Sequence, residues 1–126
     1  MNEENERAFK ISKKLFEKIS GISISNISIN EDCILYEKYD YMWDMQIDEF
    51  FCKCLEYTFT EDYTLYFHKW SGVEENEFYF QCMDVKSGLQ FSTERNYKQA
   101  LFSACEEIMK TKKHMEKNDD NKTILI

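Results

Sequence analysis

The sequence predicts an α+β domain: a three-stranded antiparallel meander packed against helices in the order α-β-β-β-α, with one further helix at the N-terminus. Three aromatic-rich runs, at 63–70, 77–83 and 89–92, alternate in hydrophobicity as strands do. Short turn-prone stretches that contain Gly72 and Gly88 separate them, which implies antiparallel neighbours. An apolar stripe with helical spacing lies on either side of the three runs.

The N-terminal part of the chain predicts a helix followed by strand-like residues. Apolar residues between 4 and 20 recur at spacings of three and four, while Glu and Lys occupy the opposite face. Gly21 stands where a left-handed C-terminal cap is expected. Residues 22–25 then alternate like a strand, the alternation slips at Asn26, and a short strand is predicted over 33–36. The helical stripe is Ala8, Ile11, Leu15, Phe16 and Ile19.

Two further helices enclose the predicted meander. The second begins at Asp40 or Asp44, either of which is a suitable N-cap, and ends near Tyr57. The third opens at Thr93 and loses its apolar periodicity beyond residue 112. Their stripes are Trp43, Ile47, Phe50, Phe51, Cys54 and Leu55 in the second helix, and Tyr97, Ala100, Leu101, Ala104, Cys105, Ile108 and Met109 in the third.

Length and composition favour one folded domain. The 126 residues include 43% apolar and 16% aromatic side chains, enough to build a core. We predict a single domain over 1–112, made of an N-terminal helical extension (1–38) and a core (39–112), followed by a flexible polar tail over 113–126. No apolar run is long enough to cross a bilayer, and the acidic N-terminus is unlike a signal peptide, so a cytoplasmic location is expected.

Negative charge is concentrated in the middle of the chain. The formal net charge is −8, but residues 21–94 alone carry fifteen acidic and four basic side chains. A field of this sign attracts basic surfaces and repels polyphosphates, so we expect a basic protein partner and disfavour nucleic acid. Solubility alone is the alternative explanation of the charge.

The sequence contains no constellation of catalytic, metal-binding or cofactor-binding residues. The five cysteines have no regular spacing, and Cys52-Lys53-Cys54 has no second pair at ligand spacing, so neither a disulfide framework nor a zinc site is predicted. Adjacent carboxylates diverge on a helix or turn. His68 and Cys82 would suit a base and a nucleophile, but nothing in the sequence brings them together. We therefore expect a protein that is not an enzyme and needs no cofactor.

Aromatic side chains supply the candidate partner-binding site. The chain has eight tyrosines, more than one small core accommodates, and their amphipathic rings suit an interface. In the first two predicted strands Tyr66, His68 and Tyr79 lie opposite the apolar face, which is free unless the N-terminal helix covers it. The candidate residues are Tyr66, His68, Trp70, Glu74, Glu75, Glu77 and Tyr79. A homodimer through a sheet edge is compatible with the pattern but has no signal of its own.

Several segments together resemble one known family. They are Tyr39-Asp40-Tyr41-Met42-Trp43 before an acidic helix, the strand Tyr63-Thr64-Leu65-Tyr66-Phe67, a hairpin, and the closing Tyr97-Lys98-Gln99-Ala100-Leu101-Phe102-Ser103-Ala104-Cys105. This order resembles the phage ABA-sandwich domain over residues 39–109. In that family a Tyr-Ser/Asp-x-x-Trp stretch opens the first helix and an Ala-x-x-x-Ala helix closes the domain. The resemblance implies a bacteriophage protein, from whose family pattern the longer first strand and the N-terminal helix depart.

These expectations combine into one main hypothesis and two alternatives. The main one is a non-enzymatic, phage-type viral protein in the host cytoplasm that inhibits a host nucleic-acid-binding defence protein by presenting an acidic surface in place of the nucleic acid. The first alternative is a module like a double-stranded RNA-binding domain, which places a basic cluster where this chain has Glu94-Arg95-Asn96-Tyr97-Lys98. The second is a small ligand-sequestering protein or enzyme built around Cys82 and His68.

Overall fold

The chain folds as an α+β structure, as its sequence predicts, but with two small antiparallel sheets where one was expected. The computed structural model describes residues 9–72 and 77–125, and for 112–125 the backbone only. In chain order the elements are α1 (Lys13–Ser20), β1 (Asn26–Ile29), β2 (Cys33–Lys38), β3 (Tyr41–Gln46), α2 (Ile47–Thr60), β4 (Leu65–Ser71), β5 (Phe78–Asp84), β6 (Gln90–Glu94) and α3 (Tyr97–Leu125).

The second sheet, β4-β5-β6, is the predicted meander. Both strand pairs are antiparallel, and the β5–β6 register shifts between Cys82 and Met83. The sheet packs on α3 through one face only. Tyr97 of α3 meets Phe67 and Phe80 edge-on, with ring centroids 6.2 and 6.1 Å away. The other face of the sheet is therefore left for a different contact.

Asp84 organises the turn from β5 to β6 and the start of β4. Its buried carboxylate accepts hydrogen bonds from the Ser87 hydroxyl (2.7 Å), the Ser87 backbone N–H (3.0 Å) and the Thr64 backbone N–H (3.2 Å). These donors, the Ser87 hydroxyl above all, hold the pKa of Asp84 below its ordinary value of 3.8. Gly88 closes the same turn at a φ of +72°, where a larger residue would be strained.

The first sheet, β1-β2-β3, lies where the sequence predicts the start of the second helix. A start at Asp40 or Asp44 is wrong, because β3 pairs with β2 along its whole length and α2 begins at Ile47. Trp43 stands four residues before Ile47, a spacing that also suits one helical face. Pairing with β2 favours the strand, because it supplies hydrogen-bond partners to the backbone of these residues. In a first helical turn exposed to solvent, their N–H groups would have no partner within the helix.

The strand prediction before β3 is half correct. The short strand expected over 33–36 is confirmed as part of β2, whereas the strand expected over 22–25 is wrong: β1 occupies Asn26–Ile29. Ile24 is buried outside any strand, and its N–H donates a hydrogen bond to the Glu17 carboxylate at 3.0 Å. The alternation over 22–25 therefore reflects the burial of isoleucines in a connecting segment.

The first helix is shorter than predicted. α1 begins at Lys13, capped by the Ser12 hydroxyl, so the predicted helical start is wrong for residues 9–12; residues 4–8 lie outside the described residues. The backbone of Lys10 instead exchanges two hydrogen bonds with the Gln99 side chain, at 2.7 and 3.0 Å. These two hydrogen bonds hold the N-terminal segment against α3.

The other helix ends agree in part with the prediction. The Gly21 cap is confirmed, with a φ of +74°. Thr93 does not open the last helix, because it lies in β6; the Asn96 side chain caps α3 by accepting a first-turn N–H at 2.8 Å. The backbone of 113–125 is helical, where the sequence suggested an irregular tail. The flexibility of that segment and the domain boundary at 112 stay predictions.

Three phenylalanines join the three helices. Phe50 of α2 lies between Phe16 of α1 and Phe102 of α3, with ring centroids 5.7 and 5.4 Å apart, and all three rings are fully buried. Tyr36 of β2 connects the first sheet to this cluster, because its ring lies 4.9 Å from that of Phe16. The three helices and the first sheet thus reach Phe50 directly or through one ring, whereas the second sheet joins α3 through Tyr97.

Replacing Phe50 with Ala is expected to lower the free energy of unfolding by about 3–5 kcal/mol, because a cavity would open between three helices. Denaturant unfolding followed by circular dichroism measures this loss. The matched control is Phe59→Ala on the same helix, whose side chain is 68% exposed and whose loss should cost within about 0.5 kcal/mol. Equal effects at the two positions would contradict the packing described here.

Asp84→Asn is expected to destabilise the protein by about 1–3 kcal/mol near pH 7, because the amide replaces a carboxylate that accepts three hydrogen bonds. The folded-state pKa is lowered, so the stability that the carboxylate contributes is present above the unfolded-state value near 3.8 and is lost as the pH falls through the folded-state value. The penalty should therefore shrink toward pH 3, as unfolding measured at both pH values would show. The exposed Asp62→Asn control should show no comparable pH dependence.

Candidate functional site

Four of the candidate partner-binding residues share one face of the second sheet. Tyr66, His68 and Trp70 alternate along β4 and are exposed. Trp70 stands opposite Tyr79 of β5, and the two rings stack with centroids 4.7 Å apart. Among the described elements, α3 packs on the opposite face and α1 packs against α2, so the N-terminal helix leaves this face open.

The charge around these four residues is mixed. Glu77 precedes β5 and its carboxylate accepts a hydrogen bond from the Tyr79 hydroxyl, while Glu74 and Glu75 lie outside the described residues. The Arg95 guanidinium lies 5.7 Å from the centre of the Tyr79 ring. The described part of this face therefore lacks the acidic surround that the sequence suggested.

The hairpin of β2 and β3 presents four large apolar side chains to solvent. Their exposed fractions are 81% for Tyr39, 69% for Tyr41, 62% for Met42 and 51% for Trp43. We refer to these four residues as the hairpin patch. On the second sheet, the aromatic candidates Tyr66 and Trp70 have exposed fractions of 41% and 38%. The hairpin patch is thus the more exposed of the two aromatic surfaces.

A two-residue turn positions the hairpin patch. Tyr39 and Asp40 have φ values of +54° and +66°, and positive φ at both central residues is the mark of a type I′ turn, which usually takes Asn-Gly. Side chains in this conformation cost about 1 kcal/mol each. The ladder between β2 and β3 holds the turn in place, and the Lys38 ammonium lies 5.2 Å from the centre of the Tyr39 ring.

Strand alternation divides the hairpin patch between two faces. Tyr41 and Trp43 share a face with the buried Met45, whereas Met42 points to the opposite face. On this first face the Phe16 ring of α1 lies 4.9 Å from the ring of Tyr36, the β2 residue opposite Trp43. Tyr39 and Tyr41 stand nearer the turn than this contact and are more exposed than Trp43.

Carboxylates accompany the first sheet and the start of α2. Residues 33–46 contain three carboxylates and one basic side chain, that of Lys38. Two more stand in the first turn of α2, where negative charge also favours the helix dipole. The carboxylates of this part of the chain are Glu31, Asp32, Glu37, Asp40, Asp44, Asp48 and Glu49. Seven of the fifteen carboxylates of residues 21–94 therefore lie within residues 31–49, which contain the hairpin.

Sequence reasoning missed the hairpin patch because it assigned residues 39–43 to the opening of a helix. One signal could have revealed it. Residues 41–46 alternate between an apolar face, with Tyr41, Trp43 and Met45, and a more polar one, and Tyr and Trp favour strands over helices. A six-residue alternation that also fits a helical spacing is ambiguous until a pairing partner is identified.

The two cations at the start of α3 are already engaged. Lys98 Nζ lies 2.5 Å from Asp48 Oδ1, and this hydrogen bond raises the pKa of Lys98. Arg95 lies over the Tyr79 ring. Binding of duplex RNA at this helix end would require both contacts to rearrange, which disfavours the RNA-binding alternative.

The structure separates His68 from Cys82. Cys82 is fully buried on the face of β5 that packs on α3, whereas His68 is exposed on the other face of the sheet. Burial raises the pKa of the Cys82 thiol to about 12, and burial likewise raises that of Cys54. These thiols are therefore protonated at neutral pH and poor nucleophiles.

A groove of about 680 Å³ lies between residues 9–12, β6 and α3. Glu94, Glu106 and Glu107 line it, and Glu94 accepts a hydrogen bond from the Ser103 hydroxyl at 3.1 Å. Lys10 and Lys110 line it too, and Lys110 Nζ lies 3.4 Å from Glu107 Oε1, so the charge of the groove is mixed. The described residues contain no group of three or more His, Cys, Asp or Glu side chains placed to hold a metal ion.

Over the described part of the chain, no helix combines the length and the apolar character that a membrane crossing requires.

Thiol labelling of the native protein should separate the cysteines by burial. Cys52 is exposed and is expected to react first with a thiol reagent, whereas Cys54, Cys82 and Cys105 are buried and should react only when the protein opens. Mass spectrometry of peptides after timed labelling measures the order. Fast labelling of Cys82 in the folded state would revive the alternative of thiol chemistry at His68 and Cys82, and unfolded protein provides the control for intrinsic reactivity.

Comparison of the chain with family models, curated proteins and solved structures gives no match. The resemblance of residues 39–109 to the phage ABA-sandwich domain therefore stays a prediction, and the function has to be inferred from the surfaces themselves.

Proposed function

We propose that this protein is a non-enzymatic binding protein whose hairpin patch anchors a basic protein partner. The observation that carries the proposal is the exposure of four large apolar side chains at one end of the first sheet. A cluster of large exposed apolar side chains at one end of a sheet is unusual on a monomer surface and commonly marks an interaction site. The open face of the second sheet is a secondary contact surface in this proposal.

The residue types of the hairpin patch suit the centre of an interface. Tyrosine, tryptophan and methionine are enriched in interface cores, and a buried aromatic anchor can contribute about 2 kcal/mol or more to binding. Tyr41 and Trp43 project from the same face of β3, so one apolar groove on a partner would receive both rings. Met42 would contact the partner from the other face.

The backbone beneath the hairpin patch is already ordered. β2 and β3 pair from Cys33 opposite Gln46 to Lys38 opposite Tyr41, and a two-residue turn joins them. The backbone of both strands therefore loses little conformational entropy when a partner binds. Binding free energy is not reduced by the cost of ordering a flexible loop.

The charge of the hairpin selects the kind of partner. Glu37, Asp40 and Asp44 flank the hairpin patch, and the whole chain has a net charge of −8. Such a field accelerates encounter with a basic surface and opposes encounter with nucleic acid or with acidic proteins. A partner that offers an apolar groove bordered by Lys or Arg fits both features.

A narrower hypothesis concerns the effect of binding. In this version the basic surface of the partner is the site at which the partner binds nucleic acid. Binding of this protein to that site inhibits the partner, as in the main hypothesis from the sequence. The net negative charge and the carboxylates around the hairpin support this version. A bacteriophage origin, a host defence target and a cytoplasmic location stay predictions.

Affinity capture tests the proposal. The full chain, immobilised and exposed to a lysate of its natural host, is expected to retain a basic protein at about 0.1 M salt and to lose much of it near 1 M, where the screening length falls to about 3 Å. The Trp43→Ser variant should reduce retention about tenfold or more, because it removes an aromatic anchor. Quantitative mass spectrometry of the retained proteins measures both effects.

The matched control is Phe59→Ser, which alters an exposed aromatic residue of α2 outside both aromatic surfaces and should leave retention of that protein unchanged. Circular dichroism must show that both variants are folded. Retention that is equal in the wild type and Trp43→Ser would contradict the proposal, as would a retained partner that is acidic. Duplex RNA or DNA added as a competitor tests the narrower hypothesis, since release of the partner supports inhibition at the nucleic-acid site of the partner. Direct binding of duplex RNA by this protein would instead support the RNA-binding alternative.

A further inference from the structure

We infer that the partner supplies an extended basic segment that adds to the free edge of β3 as a fourth strand of the first sheet. The inference rests on the proposed function and names the binding mode of the same surface. β3 is an outer strand, since the sheet order is β1-β2-β3. Five of its six residues are exposed. Edge strands of this kind present backbone donors and acceptors that another chain can pair with.

The hydrogen bonds around β3 show which backbone groups face the free edge. The Ile47 N–H donates to the Asp32 carbonyl at 3.0 Å, so the odd-numbered residues of this segment direct their N–H and C=O toward β2. The backbone groups of Met42 and Asp44 therefore point away from β2. Among the described residues, no other segment donates hydrogen bonds to them or accepts hydrogen bonds from them.

Apart from the charge of Asp44, the edge has few of the features that protect edge strands from pairing. The chain contains no proline, β3 carries no lysine, and the β2–β3 register is uninterrupted. The outer strands of the second sheet differ. β4 carries Lys69, and β6 pairs across a register shift. β3 is in this sense the more accessible edge for an added strand.

The side chains beside the edge define the incoming segment. Tyr41 and Trp43 lie on one face of β3 and would contact apolar residues of the added strand. On the other face stands Asp44, which would pair with Lys or Arg of the added strand, while Glu37 on β2, one strand further away, adds to the negative field. An added strand with apolar and basic residues in alternation satisfies both faces.

Charge also decides between a partner and a second copy of this chain. Two copies that pair antiparallel about Asp44 would place two carboxylates opposite each other, and like charges at that position destabilise a strand pair. A basic segment gains from the same carboxylates. Charge complementarity therefore points to a basic partner segment as the occupant of this edge.

The test uses a synthetic peptide of about eight residues that alternates Lys and Val, a length typical of strands, with a Glu and Val peptide as the charge control. In the free protein the Met42 and Asp44 amides should exchange rapidly with solvent, while Trp43, bonded to β2, should exchange slowly. Addition of the Lys peptide is expected to slow exchange at Met42 and Asp44 about tenfold or more, and the Glu peptide should have no effect. NMR hydrogen exchange resolves the individual amides.

The Met42→Pro variant removes one N–H from the free edge without removing a bond to β2, and Met42→Ala removes the side chain but keeps that N–H. The affinity for the Lys peptide, measured by isothermal titration, is expected to fall about tenfold further in Met42→Pro than in Met42→Ala. If Met42→Pro does not fold, the exchange experiment on the wild type decides alone.

Several outcomes would overturn the inference. They are an absence of binding by the Lys peptide, binding without slower exchange at Met42 and Asp44, and protection of these amides in the free protein that grows with its concentration, which would identify a second copy as the occupant. The proposed function is judged separately, by the effect of Trp43→Ser on capture. A partner that depends on Trp43 but leaves the edge amides unprotected would retain the proposed function and reject strand addition.

Discussion

The contact of Phe50 with Phe16 and Phe102 is the constraint on which the rest of the structure depends. It joins α1, α2 and α3 through fully buried rings, and Tyr36 extends the cluster into the first sheet. Because β3 runs directly into α2, the orientation of α2 also sets the direction of the β2–β3 hairpin. The aromatic core therefore determines where the exposed hairpin points.

The same geometry explains why two aromatic surfaces have different character. The second sheet uses its apolar face to cover α3, so its outer face keeps half-exposed rings with mixed charge. The first sheet contacts α1 through Tyr36, the residue opposite Trp43. Its far end carries Tyr41 and Trp43 into solvent beside Asp40 and Asp44. A partner surface that is both apolar and basic completes that end of the sheet.

Much of the second half of the fold could be predicted from the sequence, whereas the hairpin could not. The strands β4, β5 and β6 were predictable because each alternates between apolar and polar residues and turn residues such as Gly88 separate them. The prediction for residues 41–46 was wrong because Trp43 precedes Ile47 by four positions, a spacing that fits a helix as well as a strand. Tyr66, His68 and Tyr79 lie opposite the apolar face as predicted, while the hairpin patch was missed for the same reason as β3.

The sequence by itself determined the α+β class, the meander, the helical stripes and the excess of carboxylates in the middle of the chain, because periodicity, turn residues and charge are local properties. Only the tertiary structure decided that β3 is a strand, that Trp43 lies in solvent, and that the carboxylates accompany the hairpin. These outcomes depend on which segments pair and which rings reach Phe50. Pairing and packing join residues far apart in the chain, and a local pattern carries no information about such contacts.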